Sequence, residues 1–224
     1  MKVVLFGSTG FIGKEVLDLC LKSPAVTSII ALSRRHLPVD GEGEGANPKL
    51  TVVMVEDFKV YPSSILEHLK GADACIWSIG TYNWDSTVEL EYPEAFQQAL
   101  LKVLDVHVNK PFTYVYLGGA FTEPDQEKTL WFYTKGRRVR GLAQTKFLEF
   151  GRQNPSVKTY VVRPGGVLPG DGSGYALLGW LVPTVSVRSL AAVMVDLAVN
   201  GGSEQLVNNK VIVERGRELL MNQM

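Results

Sequence analysis

Gly7-Ser8-Thr9-Gly10-Phe11-Ile12-Gly13 is the segment of this chain best suited to hold an anion. It follows the apolar run Val3-Val4-Leu5-Phe6 directly and leads into a helical pattern through Phe11, Ile12, Val16, Leu17, Leu19, Cys20 and Leu21. Glycines between a buried strand and a helix start allow a tight turn. They also let a pyrophosphate approach the helix N-terminus. A glycine triplet alone is weak evidence; one set between strand and helix at the front of an α/β pattern is strong. Gly7, Thr9, Gly10, Phe11, Ile12 and Gly13 are therefore candidate cofactor-binding residues. Ser33, Arg34 and Arg35 end the second strand, where a dinucleotide fold reads the adenosine ribose. A basic pair with no acid at the tip selects a 2′-phosphate, and hence NADP over NAD. Asp57 and Phe58, after the third strand, suit the adenine. Ser78, Ile79 and Gly80, at the end of the fourth, border the nicotinamide side.

The elements that must carry these residues alternate along the chain. Strand signals fall at Val3–Phe6, Ser28–Leu32, Leu50–Val55, Ala74–Ile79, Tyr114–Leu117 and Thr159–Val162. Helix signals fall at Phe11–Lys22, Ser63–Leu69, Glu94–Val108 and a long segment ending near Arg152. Such alternation gives right-handed crossovers and a doubly wound parallel α/β sheet of the Rossmann type. After Arg163 the loop chemistry of Pro164-Gly165-Gly166 and Pro169–Gly174 gives way to a short strand at Thr184–Val187 and a helix at Ser189–Val199. Val211–Val213 reads as a last strand. Residues 1–224 are expected to be one domain, with 165–224 forming a small substrate-side cap.

Composition narrows the function classes. Lys plus Arg number 23 and Asp plus Glu 23, so bulk charge points to no nucleic-acid partner. The cluster Lys135, Arg137, Arg138 and Arg140 reads as divided between solvent and cofactor. Cys20 and Cys75 lie in apolar runs and read as reduced core residues. His36, His68 and His107 are scattered, and no metal site is expected. No apolar stretch is long enough to span a bilayer. The chain shows no secretory leader, so the expectation is a soluble cytoplasmic protein with no membrane partner. The Glu94–Val108 stripe suits either a homodimer face or packing on the sheet.

Around the expected nicotinamide side, Thr81, Tyr82 and Trp84 read as substrate-lining, as do Tyr133 and Tyr175. Glu123 and Asp125 are carboxylates in an extended loop, where an acid or base can act, although solvated loop charge is the simpler reading. Trp131, Phe132 and Tyr133 form an aromatic run just before the long helix.

In Gly7–Gly13, Leu32–Arg35, Glu56-Asp57-Phe58, Ile79-Gly80-Thr81 and Arg163–Val167, the chain resembles the atypical short-chain dehydrogenases/reductases. Within these it resembles the HIV-Tat-interacting-protein-like and NmrA-like NAD(P)-binding group and its fungal relatives. Val185–Ala198 and Leu206–Lys210 extend the resemblance to the whole chain. The resemblance implies an NAD(P)-type cofactor, with Pro164 and Gly165 beside it, and a serine, tyrosine and lysine relay. Here the serine position falls at Gly118 or Gly119. One alignment puts Gly136 in the tyrosine place and Arg140 in the lysine place; a shifted one puts Tyr133 and Arg137 there. Neither gives an intact pair of tyrosine and lysine four residues apart. Arginine holds a ribose and lowers a neighbouring phenol's pKa but does not release its proton. Tyr133, Arg137 and Arg140 are thus the catalytic candidates. Two function classes follow. One is an NADP-dependent oxidoreductase on a small to medium apolar carbonyl or alcohol, suited to secondary metabolism. The other is a non-redox isomerase, cyclase or cofactor-sensing protein on the same scaffold.

Overall fold

Val3–Phe6 is buried without interruption, which a strand achieves only at the centre of a sheet covered on both faces. In the computed structural model, which describes residues 1–37, 47–104, 110–170 and 183–222, this segment is strand β1 (Lys2–Phe6). It lies between β2 (Ser28–Ser33) and β4 (Ala74–Trp77). β3 (Leu50–Met54) flanks β2. β5 (Phe112–Leu117), β6 (Val157–Arg163) and β9 (Leu206–Asn208) continue the other side. The seven strands run β3-β2-β1-β4-β5-β6-β9, and every neighbouring pair is parallel. Apart from the added β9, this is the doubly wound order whose direction reverses between β1 and β4, the crevice where such sheets bind ligands.

Alternate side chains of β1 feed two cores. Val3 and Leu5 meet Val16, Leu17 and Cys20 of α1 (Phe11–Lys22) and Leu190, Met194 and Leu197 of α5 (Val187–Asn200). Val4 and Phe6 meet Leu69 of α2 (Ser63–Leu69), Phe96 of α3 (Tyr92–Leu101) and Phe147 of α4 (Thr134–Gln153). The second core is aromatic. Phe6 contacts Trp77 at 4.3 Å and Phe96 at 4.6 Å between ring centroids, and Tyr114 meets Phe147 edge-on at 4.6 Å. Each such pair adds about 0.5–1.5 kcal/mol beyond simple burial.

Register brings the site together. Phe6 pairs with Leu32 and with Trp77, and Trp77 pairs with Tyr116. The carboxyl ends of β1, β2, β4 and β5 therefore stop in line, and the loops after them leave one edge of the sheet.

The structure amends the expected elements at several points. β4 ends at Trp77 rather than Ile79, because the Ser78 Oγ donates to the Phe6 carbonyl at 2.6 Å and turns the chain. A single π-helical turn, Thr87–Glu91, precedes α3, whose helix starts at Tyr92. Residues 105–109 of the expected Glu94–Val108 helix lie outside the described residues. Phe96, Ala99 and Leu100 of its stripe are buried. Val211–Val213 is not a strand. It sits in α6 (Asn209–Met221), capped where the Asn208 side chain accepts from the Val211 N–H at 3.2 Å. The last strand is instead Leu206–Asn208, held by pairing with Val161–Arg163. Tertiary pairing outweighs the strand preference of the two valines and isoleucine. The C-terminal segment is built into the fold. It adds β9, places α5 on one face and forms a small parallel pair from β7 (Gly166–Leu168) and β8 (Thr184–Ser186).

Candidate active site

Three positions make the glycine loop what it is. Gly7 has a left-handed backbone, φ +81°, and a Cβ there would lie 2.6 Å from the Ser78 Oγ. A Cβ on Gly13 would run into the Gly7 carbonyl. The loop after β1, the start of α1 and the loop after β4 thus touch through hydrogen atoms alone. Gly10 is the N-cap of α1 and donates to the Gly7 carbonyl at 2.8 Å. No side chain caps α1 and no acid sits in its first turn. Its leading N–H groups are therefore unmatched, as an anion site requires. The Ser8 Oγ is buried there with no hydrogen-bond partner among the described residues, a further polar atom in the cradle. These features fit a polyphosphate.

The opposite flank lies at the ends of β2 and β3. Ser33 folds on itself: its Oγ donates to the Arg35 carbonyl at 2.7 Å and accepts from the Arg35 N–H. This turn throws Arg34 and Arg35 outward, where both are exposed. The Arg34 guanidinium stands 5.9 Å from the centre of the buried Phe58 ring. Neither arginine forms an ion pair among the described residues, so both remain open to a phosphate. Asp57 accepts from the Lys59 N–H at 2.9 Å, which fixes the loop carrying Phe58.

The third part lies past the ends of β4 and β5. Arg140, on α4, donates from Nη2 to the Thr81 carbonyl at 3.2 Å. It also lies 3.7 Å from the Oε1 of Glu89. That same Oε1 accepts the Thr81 N–H at 2.9 Å. Gly80 and Gly119 flank the guanidinium; a Cβ on Gly119 would sit 3.4 Å from Nη1. Tyr116 lies under the pair. Burial raises its phenol above the ordinary value, the nearby Glu89 raises it further, and Arg140 opposes this. It stays neutral and serves as packing. Sequence reasoning missed Glu89. The only sequence sign was a second carboxylate in an otherwise apolar helical stretch, Val88-Glu89-Leu90-Glu91-Tyr92.

The two proposed tyrosine alignments separate here. Gly136 faces the Trp84 indole so closely that a Cβ would overlap it. Trp84 therefore fills the space a side chain at 136 would take. Tyr133 is the N-cap of α4, with φ 48°, and Trp84 has φ 54°. They are the only non-glycine residues with left-handed backbone among the described residues, and their rings meet edge-on at 5.3 Å. Tyr133 is 67% exposed, and its hydroxyl bonds to nothing among the described residues. Arg137 does not serve it. Its Nε donates to the Phe121 carbonyl at 3.0 Å, and its guanidinium lies 4.9 Å from the Phe132 ring centre. The pairing of Tyr133 with Arg137 is therefore not formed, whereas Arg140 does reach the crevice edge. Tyr82 is almost fully exposed, as is Trp131. Tyr175 lies outside the described residues.

Glu123 is neither solvated nor poised as an acid. It is buried, salt-bridged to Lys128 at 2.8 Å and 3.9 Å from Arg137. The Lys128 hydrogen bond holds its carboxyl below the ordinary value. Arg163 is a staple, directed at the carbonyls of Gly119, Ala120 and Thr122 at 3.3–3.4 Å. Pro164 accepts the Ala120 N–H at 2.8 Å, and Gly165 donates to Asn209 at 2.8 Å. Both thus hold the β5 and C-terminal loops beside the crevice. Among the described residues no group of His, Cys, Asp and Glu can hold a metal, and no helix is long and apolar enough to cross a membrane.

No family model matches this chain. It is 36% identical over 80 residues to leucinostatins biosynthesis cluster protein T of Purpureocillium lilacinum. The match takes in 36% of this chain and only 28% of that longer protein. Solved structures match far more of it. Vestitone reductase of alfalfa superposes with a TM-score of 0.67 at 16% identity, over 92% of this chain and 76% of that one. Yeast methylglyoxal/isovaleraldehyde reductase, solved with NADPH, gives 0.67 at 16% over 92% and 78%. A short-chain dehydrogenase of Burkholderia cenocepacia, solved with NADP, gives 0.66 at 13% over 99% and 93%. The likeness is one of fold, and it extends along nearly the whole chain: this protein has the fold of the short-chain dehydrogenases and reductases.

Proposed function

We propose that this chain is an atypical short-chain dehydrogenase/reductase that binds NADP(H) and reduces or oxidises a small to medium apolar carbonyl or alcohol compound. The observation that carries the reading is the composite crevice. A glycine loop without a side-chain cap lies at the switch between β1 and β4, with Arg34 and Arg35, which form no ion pair among the described residues, on one side of it and Arg140 on the other. Two of the matching structures hold NADPH or NADP, and the fungal relative belongs to a biosynthesis cluster, which agrees with a role in secondary metabolism.

The cradle of Gly7–Gly13 would hold the pyrophosphate, and Arg34 and Arg35 the 2′-phosphate. Phe58 and Asp57 would meet the adenine. Ser78, Ile79, Gly80 and Arg140 would border the nicotinamide half, with Pro164 and Gly165 backing it. When bound, the cofactor supplies or takes up a hydride. The chain's own part is to orient the substrate and steady charge on its oxygen. Arg140 can donate hydrogen bonds to that oxygen but cannot give up a proton. The exposed Tyr133 phenol, or water, is then the proton source. Thr81, Tyr82, Trp84 and Tyr133 would line the approach.

A second reading has its own observation. Gly118, Gly119 and Gly136 offer no side chain where the resemblance implies serine and tyrosine, and Trp84 fills the gap at Gly136. That suits a non-redox isomerase or a cofactor-sensing protein. Mixing the protein with NADPH and a panel of aldehydes and ketones separates the two. Loss of the reduced-nicotinamide absorbance with any of them supports the oxidoreductase. NADPH binding without turnover supports the alternative.

A further inference from the structure

Glu89 is the least expected charge in this molecule. It is 3% exposed, and a single oxygen, Oε1, serves the Thr81 N–H at 2.9 Å, the Thr81 hydroxyl at 3.4 Å and Arg140 at 3.7 Å. A buried carboxylate is costly unless paired, and packing alone would be satisfied by an apolar side chain of similar size. The π-helical turn Thr87–Glu91, a feature that recurs at functional sites, carries Glu89 at this point. The group thus ties the loop after β4 to α4.

Arg140 is the cation so held. Only its Nη2 makes a hydrogen bond among the described residues, and its side chain is 33% exposed. Its other donors remain unused beside Gly80 and Gly119, two positions without side chains. Topology sets this cation apart from Arg34 and Arg35. Those sit at the ends of β2 and β3, whereas Arg140 sits past β4 and β5, across the β1–β4 switch. A ligand lying across the switch would meet the arginine pair at one end and Arg140 at the other.

We propose that Glu89 is a positioning residue: it fixes the Arg140 guanidinium and the Thr81 backbone as one rigid donor unit for the nicotinamide-ribose half of the bound dinucleotide. This rests on the reading of the crevice as an NADP(H) site. Glu89 acts through Arg140 and does not touch the ligand.

Two ligands separate this role from a general effect on folding. NADPH spans the whole crevice, whereas adenosine 2′,5′-bisphosphate reaches only the arginine end. Titration calorimetry of Glu89→Gln should show NADPH binding weakened about tenfold, the scale of one displaced charge-assisted hydrogen bond, with bisphosphate binding unchanged. Arg140→Met should give the same split. The double variant, which leaves no charge unpaired, should bind NADPH no worse than Arg140→Met. That comparison stands even if Glu89→Gln alone unfolds. The proposal is overturned if Glu89→Gln is folded and binds NADPH like the wild type, if it loses both ligands equally, or if the double variant is weaker than Arg140→Met. A wild-type protein that binds neither ligand overturns the crevice reading itself, and the proposal with it.

Discussion

At the level of single residues, the two ends of the crevice were unequally legible. Arg34 and Arg35 are picked out by order alone, because the second strand of a glycine-loop fold ends where the adenosine ribose is read, and the proposed 2′-phosphate contact rests on that order. The structure adds why they are available: the Ser33 turn projects them and no acid among the described residues neutralises them. Replacing both by Ala should weaken NADPH binding by about tenfold or more while changing NADH binding little, since one charge-assisted contact to phosphate is worth about 1.5–3 kcal/mol. Equal losses in paired titrations would show that they do not read the 2′-phosphate. Glu89 was barely legible, because an apolar setting alone does not mark a carboxylate as inward-facing when its partner lies on α4. Glu123 was misjudged for the same reason, its partners Lys128 and Arg137 being visible only once the loop folds back on α4. Its carboxyl is held below the ordinary 4.5, chiefly by Lys128. The folded form is therefore favoured by this pair above about pH 4.5, and the benefit fades as pH falls through the lower folded value. Lys128→Met should flatten that part of the acid-side stability profile in denaturant melts at stepped pH. An unchanged profile would count against the pair.

At the level of elements, strands were easier to read than helix ends. The apolar runs of β1, β2 and β4 have no other reading, since strands buried on both faces are continuously apolar. Val211–Val213 shows the limit. A β-branched triplet entered a helix because Asn208 capped it and Leu206–Asn208 took the sheet edge. α4 shows another: the residues that approach it come from distant loops. Its Gly141 lies so close to the Glu123 carbonyl that a Cβ would overlap the loop backbone. Gly141→Ala gains about 1 kcal/mol in helix propensity but forces a packed loop to move, at about 1–3 kcal/mol. Urea melts should therefore show a net loss of stability; a more stable variant would mean that the loop is not seated as described.

For the whole molecule, the doubly wound fold was legible from alternation alone, while the work of the C-terminal segment was not. α5 is apolar nearly all round, with Leu190, Ala191, Val193, Met194 and Leu197 buried. Such a helix must be covered on several sides, and sequence alone did not say that α1, α6 and the sheet would do it. The cysteines test the packing of both layers. Cys20 and Cys75 are fully buried, one in each core, and burial pushes the Cys20 thiol up to about 12 and raises Cys75 well above its ordinary value. Neither should react with a thiol reagent at pH 8 until the protein unfolds, because only the thiolate attacks. Rapid labelling of the native protein would contradict the layered core.

The central claim is that the glycine loop, the arginine pair and Arg140 form one dinucleotide crevice with a preference for the 2′-phosphate. Calorimetric titration of the purified protein with NADPH and NADH tests it most directly. Saturable one-to-one binding of NADPH, about tenfold or more tighter than NADH, is the predicted result. No binding of either nucleotide, or equal binding of both, would contradict it.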